Sequence, residues 1–125
     1  MNDKLKKENI IKNKTMSFSL EIIELYKFLN GRKEFVISKQ VLRSGTSIGA
    51  LIRESEHAES KLDFIHKLAI AQKEANETGY WLELLYKADL INENMFVNIN
   101  QDLVEIQKIL SSIIITTKNK LRDNS

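Results

Sequence analysis

Residues 60–87 read SKLDFIHKLAIAQKEANETGYWLELLYK. Phe64, Leu68, Ala71, Ala75, Thr78, Leu82 and Leu85 alternate by four and three, which puts them on one face of an α-helix and on no face of a strand. Ser60 and Asp63 form a capping-box pair: the hydroxyl accepts from a free backbone N–H, and the carboxylate reaches back to another. Asp63–Lys67 and Glu83–Lys87 are placed for i,i+4 ion pairs of about 0.3–0.5 kcal/mol each. The spacing predicts a single helix of about 27 residues, a rod of roughly 40 Å.

The same period recurs on both sides. Downstream, Phe96, Ile99, Leu103, Ile106, Leu110, Ile113 and Thr117 form a second stripe. Upstream, Ser38 is a candidate cap for a helix with Val41, Leu42, Gly45, Ile48, Gly49 and Ile52 inward. Each mid-helix glycine costs about 1 kcal/mol relative to alanine, a cost that close approach of a neighbouring helix would offset. Before it come Phe18, Ile22, Leu25 and Leu29, with Thr15 or Ser17 as N-cap and Asn30-Gly31 as the stop. Phe35-Val36-Ile37, in the connection, is apolar enough to cover the core. Connections near 57–60 and 88–93 are short enough to force antiparallel neighbours. The expectation is an all-α, antiparallel up-down-up-down four-helix bundle over residues 14–120, with a basic N-terminal tail at 1–13 and a C-terminal tail at 121–125.

Composition narrows the chemistry. The chain has 125 residues, which suits one domain, with no proline, no cysteine and four glycines. So few turn residues exclude a sandwich of many short strands. The lack of cysteine excludes disulfides, thiolate metal sites and a cysteine nucleophile. The N-terminus lacks a signal-peptide core, and no apolar run approaches the roughly 20 residues of a membrane span, so a cytoplasmic, non-membrane protein is expected. Glu54-x-x-His57 and Asp63-x-x-His66 imitate the carboxylate–histidine spacing of di-iron bundles. His66, however, falls away from the apolar stripe and His57 sits at a helix end, so both read as surface residues. Arg43-Ser44-Gly45-Thr46-Ser47 offers hydroxyls without a base, and Gly45-x-x-x-Gly49 lies inside a helix. No catalytic, metal or cofactor site is expected, and the chain reads as a non-enzyme.

Two features remain unused by the core. Tyr80, Trp81 and Leu84 fall on the side and back of the third helix, and Leu51, Ile114 and Ile115 lie off their stripes. The plainer reading is a wide core stripe that covers some of them; the sharper one is a subunit interface, which contiguous apolar surface of this kind marks. Charge is also segregated: residues 1–43 carry ten basic and five acidic side chains, residues 44–107 five and eleven, and residues 108–125 four and one. In an up-down-up-down bundle Lys4, Lys6, Lys7, Lys12 and Lys14 share a pole with Lys118, Lys120 and Arg122. Such a pole suits a polyanion, RNA or DNA in particular; the plainer reading is solvated tails. A protein-binding adaptor that recruits a partner enzyme through the apolar faces is the alternative.

The run Val41-Leu42-Arg43-Ser44-Gly45-Thr46-Ser47-Ile48-Gly49-Ala50, followed by Ile52-Arg53-Glu54, Ser60, Asp63-Phe64-Ile65, Lys73-Glu74, Glu77-Thr78 and Tyr80-Trp81-Leu82, is specific in combination. It resembles the four-helix bundle proteins encoded in 23S rRNA intervening sequences, also labelled S23 ribosomal proteins, over almost the whole domain. That family in turn resembles the accessory proteins of diversity-generating retroelements, which form pentameric rings. The resemblance implies a cytoplasmic bacterial protein, a left-handed antiparallel bundle, a homopentamer, no cofactor and no catalytic residue. It also implies a nucleic-acid or ribonucleoprotein setting. Carried over by position are Arg43, Ser44, Ser47, Arg53 and Glu54 on the second helix and Glu77, Tyr80 and Trp81 on the third, as an interhelical and intersubunit set. One departure is Leu51, where the family commonly has Asn; packing replaces any hydrogen bond from that amide.

Overall fold

A computed structural model describes residues 3–123, with side chains from residue 5 onward. It holds four helices, α1 (Asp3–Gly31), α2 (Ile37–Ser55), α3 (Lys61–Lys87) and α4 (Glu93–Asp123). Among the described residues there is no strand. Each helix lies against its neighbour in sequence and α1 closes on α4, while the diagonal pairs α1–α3 and α2–α4 do not approach each other. That contact pattern is a four-cornered antiparallel bundle. The predicted stripes meet at its centre: Phe18, Ile22, Leu25, Leu29, Val41, Ile48, Ile52, Leu68, Ala71, Ala75, Leu82, Leu85, Ile99, Leu103, Ile106, Leu110 and Ile113 are all buried. Leu42, Phe64 and Phe96 close its edges, partly buried.

The helices are longer than their obvious stripes. α1 is already helical through residues 3–13, and Ile11 is 2% exposed. Thr15 is buried, and its Oγ1 donates to the Ile11 carbonyl at 2.8 Å, so it is an interior helix residue and not a cap. Ser17 likewise lies inside α1. The stripe continues backwards as Phe18, Thr15, Ile11 at unbroken spacing, but one threonine and a lysine-rich flank disguise it. At the other end α4 runs through Asp123, covering residues 121–123, with Thr117 buried and bonded to the Ile113 carbonyl.

The start of α2 corrects two further expectations. Ser38 lies inside the helix, buried, with its hydroxyl donating to Asn30 Oδ1 at 3.2 Å. The capping is done from outside by Glu34, whose carboxylate accepts from the N–H groups of Val36 (3.2 Å), Ile37 (3.0 Å) and Ser38 (2.7 Å). Ile37 packs against the core, while Phe35 and Val36 are left 53% and 74% exposed and do not cover it. Burial pushes the Glu34 pKa up, yet the three N–H bonds together outweigh it and hold the carboxyl below its ordinary value. Its contribution is therefore present above the ordinary carboxylate pKa and lost as pH falls through the depressed folded value. Replacing Glu34 with Ala should cost about 1–2 kcal/mol in urea unfolding at neutral pH, the usual scale for a lost N-cap. The difference from the native chain should shrink in acid; an equal cost at pH 7 and pH 3 would contradict this role.

At the start of α3 the capping box forms, with Asp63 N donating to Ser60 Oγ at 3.0 Å. The reciprocal bond comes from Glu59 N to Asp63 Oδ2, at 3.1 Å. Asp63 being so engaged, Lys67 turns across the bundle to Glu54 at 3.8 Å, whereas Lys87 pairs with Glu83 at 2.9 Å as its spacing predicts.

Candidate functional site

The α2–α3 face gathers most of the unusual residues. Arg43 Nη1 donates to Glu74 Oε2 at 3.1 Å, and its Nη2 donates to Glu77 Oε2. That same Glu77 oxygen accepts from the indole Nε1 of Trp81 at 3.0 Å. Tyr80 sits edge-on to Trp81, with ring centroids 5.1 Å apart, and is 58% exposed. Beneath them Ser44 is buried, its Oγ 2.9 Å from Thr78 Oγ1, while Thr78 donates to the Glu74 carbonyl. Ser47 donates to the Arg43 carbonyl at 2.6 Å. One guanidinium thus faces two carboxylates, so its charge is spent within the protein and is not offered to a phosphate. The result is an aromatic ledge fixed from below, with Trp81 and Leu84 half-buried; Leu51, also half-buried, lies further along α2.

Six of the eight positions carried over from the family pattern meet here. The other two do not join them: Glu54 pairs with Lys67, and Arg53 lines a groove between α1 and α2 with Met16, Ile23 and Ala50. Glu74 is the member that spacing along one helix did not single out, because its partner Arg43 lies on another helix. Of the apolar residues left off the stripes on α4, Ile114 is buried and Ile115 exposed.

The second candidate is the end of the bundle where α1 begins and α4 finishes. Lys6, Lys118 and Lys120 are exposed there, and among the described residues no carboxylate bridges to them. Arg122 donates to Asn119 Oδ1 at 2.6 Å. Lys7 donates to Ser112 Oγ at 2.8 Å across the α1–α4 seam. Lys12 is paired with Glu56 at 3.0 Å and Lys14 with Glu105 at 2.9 Å, which removes both from the cationic set. The side chain of Lys4 lies outside the described residues. The cause of the narrowing is topological. The chain's acidic middle meets the lysines of α1 twice, at Glu56 in the α2–α3 connection and at Glu105 on α4.

His57 and His66 are exposed, and among the described residues no group of three or more His, Asp or Glu is arranged to hold a metal ion. No described helix is long and apolar enough to cross a membrane.

Comparison with known proteins agrees with this architecture. No curated protein matches the chain. A solved structure does: the crystal structure of a protein of unknown function from the S23 ribosomal protein family of Bacteroides thetaiotaomicron is 59% identical. The match covers 86% of this chain and 97% of that one, with a TM-score of 0.85. The model for the 23S rRNA-intervening sequence protein family matches residues 7–112, from the first turns of α1 to the last third of α4. The chain belongs to the 23S rRNA-intervening sequence protein family.

Proposed function

We propose that this chain is a non-catalytic, self-associating helical bundle that binds nucleic acid through the cationic end formed by α1 and α4. It works in the cytoplasm without a cofactor. The observation that carries the reading is the trio Lys6, Lys118 and Lys120, exposed and unbridged among the described residues. The family's description names 23S rRNA intervening sequences, a nucleic-acid setting that supports the reading. Three lysines per chain neutralise few phosphates, so affinity depends on repetition. A closed ring, a homopentamer on the family resemblance, repeats the cationic end around its axis and gains by avidity. The Tyr80–Trp81 ledge, partly apolar and fixed from below by the Arg43–Glu74–Glu77 group, is the surface best suited to the contact between copies.

Binding to labelled structured RNA and matched DNA across a salt series tests this, with the mass of the assembly measured in parallel. The logarithm of affinity should fall linearly with that of salt, with a slope of about −2 to −3 for each chain engaged. Weak binding at micromolar protein that ignores salt would refute it. The ledge favours a second reading, a protein-binding adaptor, whose partner capture would be indifferent to the lysines.

A further inference from the structure

α1 meets α4 along a ladder with seven-residue steps on α1. Lys7 donates to Ser112, Lys14 pairs with Glu105, and Glu21 contacts Asp102. Helical side chains lean toward their own N-terminus, so in this antiparallel pair Glu21 and Asp102 lean toward each other. The first two rungs join complementary groups; the third sets carboxyl against carboxyl.

Nothing nearby corrects that mismatch. Glu21 lies between two hollows of the seam, of about 230 Å³ on the Lys14 side and about 490 Å³ on the Met95 side. The charged groups facing it are Lys14 and Glu24 from α1 and Asp102 and Glu105 from α4, and neither α2 nor α3 contributes to either lining. Lys14 is engaged by Glu105 at 2.9 Å, and Glu24 by Lys27 at 3.4 Å. Two carboxyls in contact do not both ionise without a cation between them. Burial, then the hydrogen bond with Asp102 and its charge, raise the Glu21 pKa to about 8.

We propose that Glu21 and Asp102 form a proton-dependent latch on the α1–α4 seam, closed while one proton is shared between the two carboxyls and loosened when that proton leaves to solvent. A folded pKa raised above the unfolded one means that the native state holds the extra proton. The latch's contribution is complete below the unfolded value and is lost as pH rises through the folded value. The pair is half-exposed and screened by water, so the effect is modest in size but specific in place.

Thermal unfolding of the full chain from pH 5.5 to 9, native against Glu21→Gln, is the first test. The native midpoint should drop by roughly 5 °C toward pH 9. The amide keeps a donor toward Asp102 at every pH, so the variant should lose most of that drop and be the more stable protein at pH 9. Glu24→Gln, outside the rung, should follow the native profile. Identical profiles for the native chain and Glu21→Gln would overturn the proposal. Side-chain carboxyl 13C titration of the native protein decides independently of how the variant folds. One glutamate titrating near neutrality or above supports the latch, and all carboxyls titrating below pH 6 overturns it.

Discussion

Gly45→Ala should destabilise the bundle by about 1–3 kcal/mol, while Gly49→Ala, one turn on, should be neutral or stabilising by up to about 1 kcal/mol. A Cβ on Gly45 would stand 2.8 Å from Ile22 Cγ1, 3.0 Å from its Cγ2 and 3.2 Å from its Cδ1. Ile22 is fully buried. As a β-branched residue inside a helix it has essentially one χ1 rotamer, so it cannot swing away, and α1 and α2 would have to separate. At Gly49 the nearest atoms, Ser19 Oγ and the Thr15 carbonyl, lie 3.4 Å from the added carbon, which is ordinary contact. There the helix propensity of alanine has little to oppose it. Urea unfolding of the two single variants measures the contrast. Equal effects of the same sign would mean that the α1–α2 approach does not set the spacing of this corner.

The glycine pair also illustrates what the sequence made legible. Periodicity located the inward face of every helix, and the two glycines on the α2 stripe marked a close approach before any partner was known. Local patterns failed where a long-range contact decides the outcome. Ser38 reads as a cap from its position, yet a carboxylate four residues upstream takes the three N–H groups and leaves the hydroxyl to Asn30. Asp63–Lys67 reads as an ion pair, but Asp63 is committed to the helix start and Lys67 finds Glu54 across the bundle. Ile11 was hidden by its lysine-rich surroundings even though it continues the α1 stripe. The family residues on α2 and α3 were visible as a motif. That Arg43, Glu74, Glu77 and Trp81 form one connected group depends on the register between two helices, which no single-helix spacing contains.

Charge reversal of Lys6, Lys118 and Lys120 to Glu should lower affinity for structured RNA by about 100-fold or more in low salt, and should flatten the salt dependence by about three units of slope per chain engaged. All three side chains are exposed and make no ion pair among the described residues, so stability should stay within about 0.5 kcal/mol of the native chain. Deleting residues 1–13 is a poorer test, because it removes Ile11 from the core together with the lysines. Lys12→Gln and Lys14→Gln should weaken binding far less, since Glu56 and Glu105 already neutralise those ammonium groups. The decisive control reverses Lys33, Lys39 and Lys73, which are exposed, make no ion pair among the described residues and lie away from that end, so that net charge changes equally but the cationic end is intact. If both triple variants lose affinity to the same extent, RNA responds only to the overall charge of the particle, and the cationic end is not a binding surface. If only the first does, phosphates are held where α1 begins and α4 ends, and the aromatic ledge on α2–α3 is left free for contact with another copy.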